Sequence, residues 1–385
     1  DLYTFGYRFK PWMGKPVANG DEILDYLGEA IEEDHIDRNI RYRHEVLSAS
    51  WDSTAQCWLV RARRGENGEE VSFSCNFLWM CQGYYRHAEG YTPEFKGKAE
   101  FKGEIVHPQH WPEDLDYKGK RVVVIGSGAT AATLIPNMAD DCADITMLQR
   151  SPTYFWTGEN RNELADTLRE LEVPDEWVHE IVRRKLLAEA REIQQLSREH
   201  PEIIRDELLK VIREHLGEDF DIDPHFTPSY RPWQQRLAYV PDGDLFQGIA
   251  SGKVSVVTDQ IERFTENGIL TRSGELLEAD IIVTATGFNL SVMGDIAFDV
   301  DGSSVDFSQH YTWRGIMSEG LPNTAAMFGY LRTSWTMRVD LVCDLVCRLL
   351  NHMDELGAKV CTPTLRDHET DMSRRPWIEE NEFNP

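Results

Sequence analysis

The clearest hydrophobic signal in the chain is Val122-Val123-Val124-Ile125, an unbroken β-branched run after Lys118-Gly119-Lys120-Arg121. A strand with one wet face would alternate, so this run predicts a strand buried on both faces. Gly126-Ser127-Gly128-Ala129-Thr130-Ala131 follows, then a helix-like stretch through Thr133 to Met138. A second apolar run, Ile145-Thr146-Met147-Leu148, ends at Gln149-Arg150-Ser151. Together these form one β-α-β unit. Residues 279–287 read as another buried strand ending in glycine, and 75–85 repeat that pattern around Gly83. Two such strands flanking one β-α-β unit suggest two interleaved nucleotide-binding lobes.

Between these regions the periodicity changes. Val178, Ile181, Val182, Leu186, Ile193 and Leu196 recur at helical spacing, as do Ile203, Ile204, Leu208, Val211, Ile212 and Leu216. Pro174 suits a first helical position, Pro201 restarts the helix and Gly217 stops it. Residues 253–257 then return to strand character, with turns expected at Asn267-Gly268 and Ser273-Gly274. Residues 341–350 predict an apolar helix in which Cys343 and Cys347 are expected as small core residues.

Composition adds bounds. The 385 residues suggest two or three domains, and 41% hydrophobic content supplies a sizeable core. The net charge is −26, with 19 acidic and 10 basic residues between 159 and 223, so a solvated acidic helical face is expected there. This balance disfavours nucleic acid and anionic membranes as partners. The seven cysteines are scattered without C-x-x-C, which argues against a disulfide framework or a structural metal. No apolar run is long enough for a membrane span, and no leader opens the chain, so a cytoplasmic location is expected.

The glycine string has a chemical reading. Gly126-x-Gly128-x-x-Ala131 lies between a strand and a helix. The first glycine permits a tight turn, the second lets backbone approach a pyrophosphate, and Ala131 permits close helix–strand packing. The helix N-terminus attracts the anion. An acid normally follows the second strand in NAD and FAD sites, where it would repel a 2′-phosphate. This chain has Arg150 and Ser151 instead, which suits NADP(H). The alternative is that Arg150 is a surface charge.

Upstream stands Phe101-x-Gly103-x-x-x-His107-x-x-x-Trp111-Pro112. Alone, Gly103 suggests a turn, Phe101 and Trp111 suggest packing anchors, and His107 reads as a structural histidine. As a string it resembles the signature of the type I Baeyer–Villiger monooxygenases, class B flavoproteins related to the flavin-containing monooxygenases. Met147 through Tyr154, Gly329-Tyr330, Ser334-Trp335-Thr336 and residues 107–117 resemble the branch of the ethionamide-activating monooxygenase.

The resemblance implies an α/β fold with two dinucleotide-binding (Rossmann-like) domains, for FAD and NADP, and a helical insertion. Its boundaries here are 1–117 for a partial FAD domain and linker with 288–385 as that domain's C-terminal part, 118–158 and 236–287 for the NADP domain, and 159–235 for the insertion. Relative to the family the chain is expected to be truncated at both ends, from Asp1 to Asn384-Pro385, without the first FAD-binding β-α-β unit.

The resemblance also implies site residues. His107 links the two domains, and Arg236 lies beside flavin and nicotinamide, although by itself Arg236 reads as a surface arginine. Gln235 stands where many members carry lysine. Gly126, Ser127, Gly128, Ala129, Thr130, Ala131, Thr133, Arg150 and Ser151 are the expected NADP(H) contacts, with Val46 and Gly83 on the FAD side. Trp335 and Tyr330 are either pocket-lining or core aromatics.

The implied activity uses NADPH, FAD and O2 to insert oxygen into ketones through a peroxyflavin, giving esters or lactones, and extends to sulfides and thioamides. A small-molecule substrate is the expected partner, and an oligomer is compatible with this. The alternatives are an N-hydroxylating relative and an FAD-free fragment that binds NADP(H).

Overall fold

The computed structural model describes residues 1–330 and 333–375; the expected carboxyl end at Asn384-Pro385 lies outside the described residues. After a helix at Gly20–Glu33, the elements that frame the site begin, in chain order, with β1 (His44–Asp52), β2 (Cys57–Arg64), β3 (Glu69–Cys75), β4 (Leu78–Met80), β5 (Glu104–Val106), β6 (Arg121–Ile125) and α1 (Ala129–Met138). Then come β7 (Asp144–Gln149), β8 (Phe155–Gly158), α2 (Asp175–Glu199), α3 (Pro201–Leu216), β9 (Ala238–Pro241) and β10 (Val254–Thr258). The last are β11 (Ile281–Thr284), β12 (Ala297–Val300), β13 (Ser303–Ser304), β14 (Thr324–Ala326) and α4 (Trp335–Leu356).

The described residues divide into two compact units, one of residues 1–86, 162–184 and those from 290 on, the other of residues 87–161 and 185–289. The helical stretch is therefore shared between the units, with the boundary inside α2. Side chains explain the first part of that split. Arg183 is buried and donates to the carbonyls of Thr4 (3.2 Å) and Gly6 (2.9 Å), close to the Asp340 carboxylate at 3.4 Å. His179 Nδ1 accepts the Trp12 amide at 3.1 Å.

The second unit is built on a parallel five-stranded sheet of order β10-β7-β6-β11-β5. Val122 and Val124 of β6 enter one core cluster with Ile135 and Met138 of α1, while Val123 and Ile125 enter another with Leu148 and Ile282. This alternation is why the run lacks polar positions: both pleat faces are covered. Successive strands run β6, β7, β10 to one side, and β11 then pairs on the other side of β6. The strand order reverses between β6 and β11, which makes the carboxyl end of β6 a topological switch point.

The first unit holds a five-stranded sheet of order β13-β12-β1-β2-β3 and a separate parallel pair, β14 with β4. Trp51, Trp58 and Phe298 form an edge-to-face stack in its core.

Several expectations need correcting. Cys343 is only half-buried and Cys347 is exposed, because α4 turns that side toward solvent. Pro174 precedes α2 and caps it through its carbonyl, which accepts the Val178 amide at 3.0 Å. Within 75–85 the strand before Gly83 is only the three-residue β4, while Cys75 closes β3 and Tyr85 opens a further strand to Gly90. Pro201 and Gly217 delimit α3 as expected. No helix of the described residues is long and apolar enough to cross a membrane.

Candidate active site

The glycine string sits at the switch point. Gly126 has φ +123°, and its amide donates to Leu148 O at 2.8 Å, folding the turn back over the end of β7. A Cβ on Gly126 would lie 2.4 Å from Ala285 O, just past β11. Two independent reasons, dihedral and contact, thus demand glycine here. Gly128 caps α1 and faces open space, with nothing within 4 Å of where a Cβ would stand. The first turn of the ten-residue α1 carries no acid. Its unpaired amides and dipole therefore favour an anion at this mouth.

Ala131 is fully buried against the sheet, which lets α1 approach closely. Ala129 and Thr130 occupy the exposed or half-exposed first turn. Two hydroxyls here already have protein partners, Ser127 buried and Thr133 on the exposed side of α1. Ser127 Oγ lies 3.0 Å from Thr153 Oγ1, and Thr133 Oγ1 donates to Ala129 O at 2.9 Å. What Ser127 offers a ligand is backbone.

The end of β7 explains the missing acid. Gln149 points into the protein, where its Nε2 donates to His225 O (2.7 Å) and Thr258 Oγ1 (2.9 Å). Arg150 and Ser151 follow and are both exposed. A cation and a hydroxyl therefore stand where a carboxylate would exclude a 2′-phosphate.

The upstream fingerprint runs through β5, which pairs in parallel with β11. Phe101 is buried with an edge contact to Phe264, and Trp111 packs beside Tyr117. Gly103 acts by close approach rather than as a positive-φ turn, since a Cβ would lie 2.2 Å from Asp280 O. His107 Nε2 lies 3.1 Å from Gly287 O, and its Nδ1 accepts the Gln109 amide at 3.2 Å. The protonated nitrogen is thus assigned as Nε2 from its carbonyl partner. The ring covers Gly90, where a Cβ would meet it at 1.9 Å. His107 therefore holds the peptide two residues beyond Ala285, whose carbonyl abuts Gly126.

Arg121 and Asp280 fix the other end of β6 and β11. The guanidinium donates to both carboxylate oxygens, at 3.2 and 2.8 Å, and the Arg121 amide adds a third bond at 2.9 Å. These bonds from Arg121 hold the Asp280 carboxyl down to about 2. Neither residue belongs to a motif, so the sequence carried no signal for this pair.

Arg236 is exposed, just before β9. It ends a loop in which Trp233 adopts φ +63°, unusual for a bulky residue. Val46 lies in β1 at an irregularity in the pairing with β2 and is 38% exposed. Gly83 has φ +78° with open space around it. Both belong to the first unit, whereas the glycine string, His107 and Arg236 belong to the second. Trp335 stacks on Tyr84 at 4.9 Å and touches Phe328 at 5.0 Å, while Tyr330 is exposed. No cluster of three or more His, Cys, Asp or Glu suited to a metal occurs among the described residues.

A family model described as flavin-binding monooxygenase-like matches residues 15–161. The FAD-containing monooxygenase EthA of Mycobacterium tuberculosis is 44% identical over 381 residues, 98% of this chain and 77% of that protein. A probable FAD-binding monooxygenase, AlmA of an Acinetobacter species, is 44% identical over 97% of this chain and 76% of its own length. A solved oxidised steroid monooxygenase bound to NADP superposes with a TM-score of 0.74 at 23% identity, covering 93% of this chain and 77% of that one. An open crystal structure of cyclohexanone monooxygenase gives 0.75 at 19% identity, covering 94% and 79%.

Proposed function

The chain belongs to the flavin-binding monooxygenase-like family, and from that premise we propose that it oxygenates ketones to esters or lactones and oxidises sulfides or thioamides. It is a flavin-dependent monooxygenase whose cofactors are FAD and NADP(H). The observation that carries the reading is the docking of His107 on Gly287 O, beside the carbonyl that shapes the Gly126 turn.

The NADP(H) fit is supported by the open mouth of α1 and by exposed Arg150 and Ser151. Gly126 shapes the turn, backbone amides of Ser127 to Thr130 would take the pyrophosphate, Ala131 keeps the helix close, and Thr133 braces its first turn. The described residues supply part of an FAD site. Val46 presents strand backbone and a half-open side chain suited to an adenine, and Gly83 leaves room at the end of β4. The 1–117 and 288–385 segments are assigned to the FAD domain, and 118–158 with 236–287 to the NADP domain.

When bound, the flavin accepts hydride from the nicotinamide and activates O2. The protein's share is positioning and electrostatics. Arg236 supplies a permanent cation that disfavours protonation of an anionic oxygen nucleophile nearby. His107 fixes the strand end through one hydrogen bond, so that a shift of residues 285–288 and a shift of the dinucleotide turn occur together.

The test uses the purified chain reconstituted with FAD, NADPH and O2, presented with ketones and with thioamides. Substrate-stimulated NADPH consumption with ester, lactone or sulfoxide in the mass spectrum is expected. An FAD-loaded protein that consumes NADPH yet yields none of these products would defeat the proposal.

A further inference from the structure

We infer that Tyr154 is a positioning residue that couples occupation of the glycine turn to the placement of Arg236. The inference rests on the dinucleotide reading of that turn. Tyr154 is fully buried between the two regions, in a cluster with Ile204 and Leu208. Its phenol donates to Tyr230 O at 2.9 Å, and its own backbone carbonyl accepts the Ala238 amide at 3.0 Å. The two bonds close both ends of the loop 231–237, which carries Arg236. One residue therefore staples that loop where it begins and where it finishes.

The loop has reason to need a staple. Trp233 sits at φ +63°, and its indole nitrogen is buried without a hydrogen-bond partner. Within the loop, the Gln234 amide donates to Arg231 O at 3.1 Å, and the Arg231 amide donates to Gln234 Oε1 at 3.3 Å. A strained turn with an unsatisfied polar atom persists only where its surroundings over-determine it. Here the surroundings at its two ends are Tyr154.

The other half of the coupling is short in sequence. Arg150 and Ser151 precede Tyr154 by four and three residues, with Pro152 stiffening the link. The Thr153 hydroxyl meets Ser127 inside the glycine turn at 3.0 Å. Thr153 also lies against the Tyr230 phenol. Burial raises that phenol's pKa, partly offset by the Tyr154 backbone and the Thr153 hydroxyl. A ligand that fixes the turn, Arg150 or Ser151 thus fixes the backbone of Tyr154, and with it both ends of the Arg236 loop.

Hydrogen exchange on the full chain, with and without NADP+, reads this directly. In the wild type, NADP+ is expected to slow exchange of amides in 231–237 about tenfold or more. In Tyr154→Phe that slowing should fall below about twofold, while NADP+ affinity stays within about twofold, as expected from losing one buried hydrogen bond away from the ligand. Should Tyr154→Phe not fold, Thr153→Val makes the same comparison with the ring in place.

A purely structural tyrosine would raise exchange equally with and without NADP+ and leave the ligand-dependent difference intact; that result overturns the inference. Undiminished slowing in the variants, or NADP+ bound to the wild type without slowing at 231–237, overturns it too. Absence of NADP+ binding defeats the reading of the site and this inference together. Intact coupling in a wild type that makes no oxygenated product counts against the proposed activity alone.

Discussion

Two glycines follow two parallel strands among the described residues, and only one of them leads directly into a helix N-terminus. Gly126 follows β6, the middle strand of a five-stranded sheet, at the point where strand order reverses, and a ten-residue helix starts three residues later. Gly83 follows β4, three residues long, whose parallel partner is β14. At Gly126 a side chain would meet a backbone carbonyl at 2.4 Å; at Gly83 it would meet nothing within 4 Å. The two look alike as apolar runs ending in glycine. What distinguishes them is the helix N-terminus and the crossing of chain directions, which supply amides and an opening for an anion.

Four substitutions probe that contrast. The largest effect is expected from Gly126→Val, which meets both the Ala285 carbonyl and a forbidden dihedral, at a cost of about 3 kcal/mol or more. Denaturant melting should show that loss, and NADPH titration should show binding gone; near-normal binding would dissolve the contrast. Next comes Arg150→Ala. Losing a charge-assisted contact to the 2′-phosphate should cut the preference for NADPH over NADH by about 10- to 100-fold in KM ratios. An unchanged ratio would return Arg150 to an ordinary surface charge.

Gly83→Ala should be milder, about 1 kcal/mol, because only the positive φ resists it. A loss as large as that at Gly126 would mean that Gly83 also faces a close neighbour. Asp280→Asn should be smallest. The Asp280 carboxyl titrates at about 2 beside Arg121, below the unfolded value of about 3.9. Its stabilisation is therefore complete above about pH 4 and is lost as pH falls through about 2. The pair is part-exposed and screened, so the acid-unfolding midpoint of the variant should rise by only about half a pH unit. Circular dichroism across pH 5 to 2 checks the sign.

How much was legible varies by residue. Gly126, Gly128 and Ala131 could be assigned because a strand, a turn and a helix are local; the positive φ of Gly126 is a local demand, whereas the Ala285 carbonyl that also excludes a side chain there is not. Phe101, Gly103 and Trp111 could be recognised as a string, but the reason for Gly103 could not. That reason is the Asp280 carbonyl, distant in sequence and brought in by the pairing of β5 with β11. Cys343 and Cys347 were misjudged because helical spacing says which residues share a side, not whether that side is covered. Tyr154 was legible as the end of the family-like string from Met147, but its role was not, since its two bonds reach Tyr230 and Ala238.

The sequence by itself determined the β-α-β unit, the anion-seeking turn and the cation that replaces an acid, because these follow from backbone preference and charge within a few residues. Tertiary structure alone decided that Ser127 and Gln149 turn inward, that His107 grips Gly287, and that one tyrosine holds both ends of the Arg236 loop. Each of those depends on a carbonyl or hydroxyl contributed by a distant segment, and the chain must fold before such partners exist.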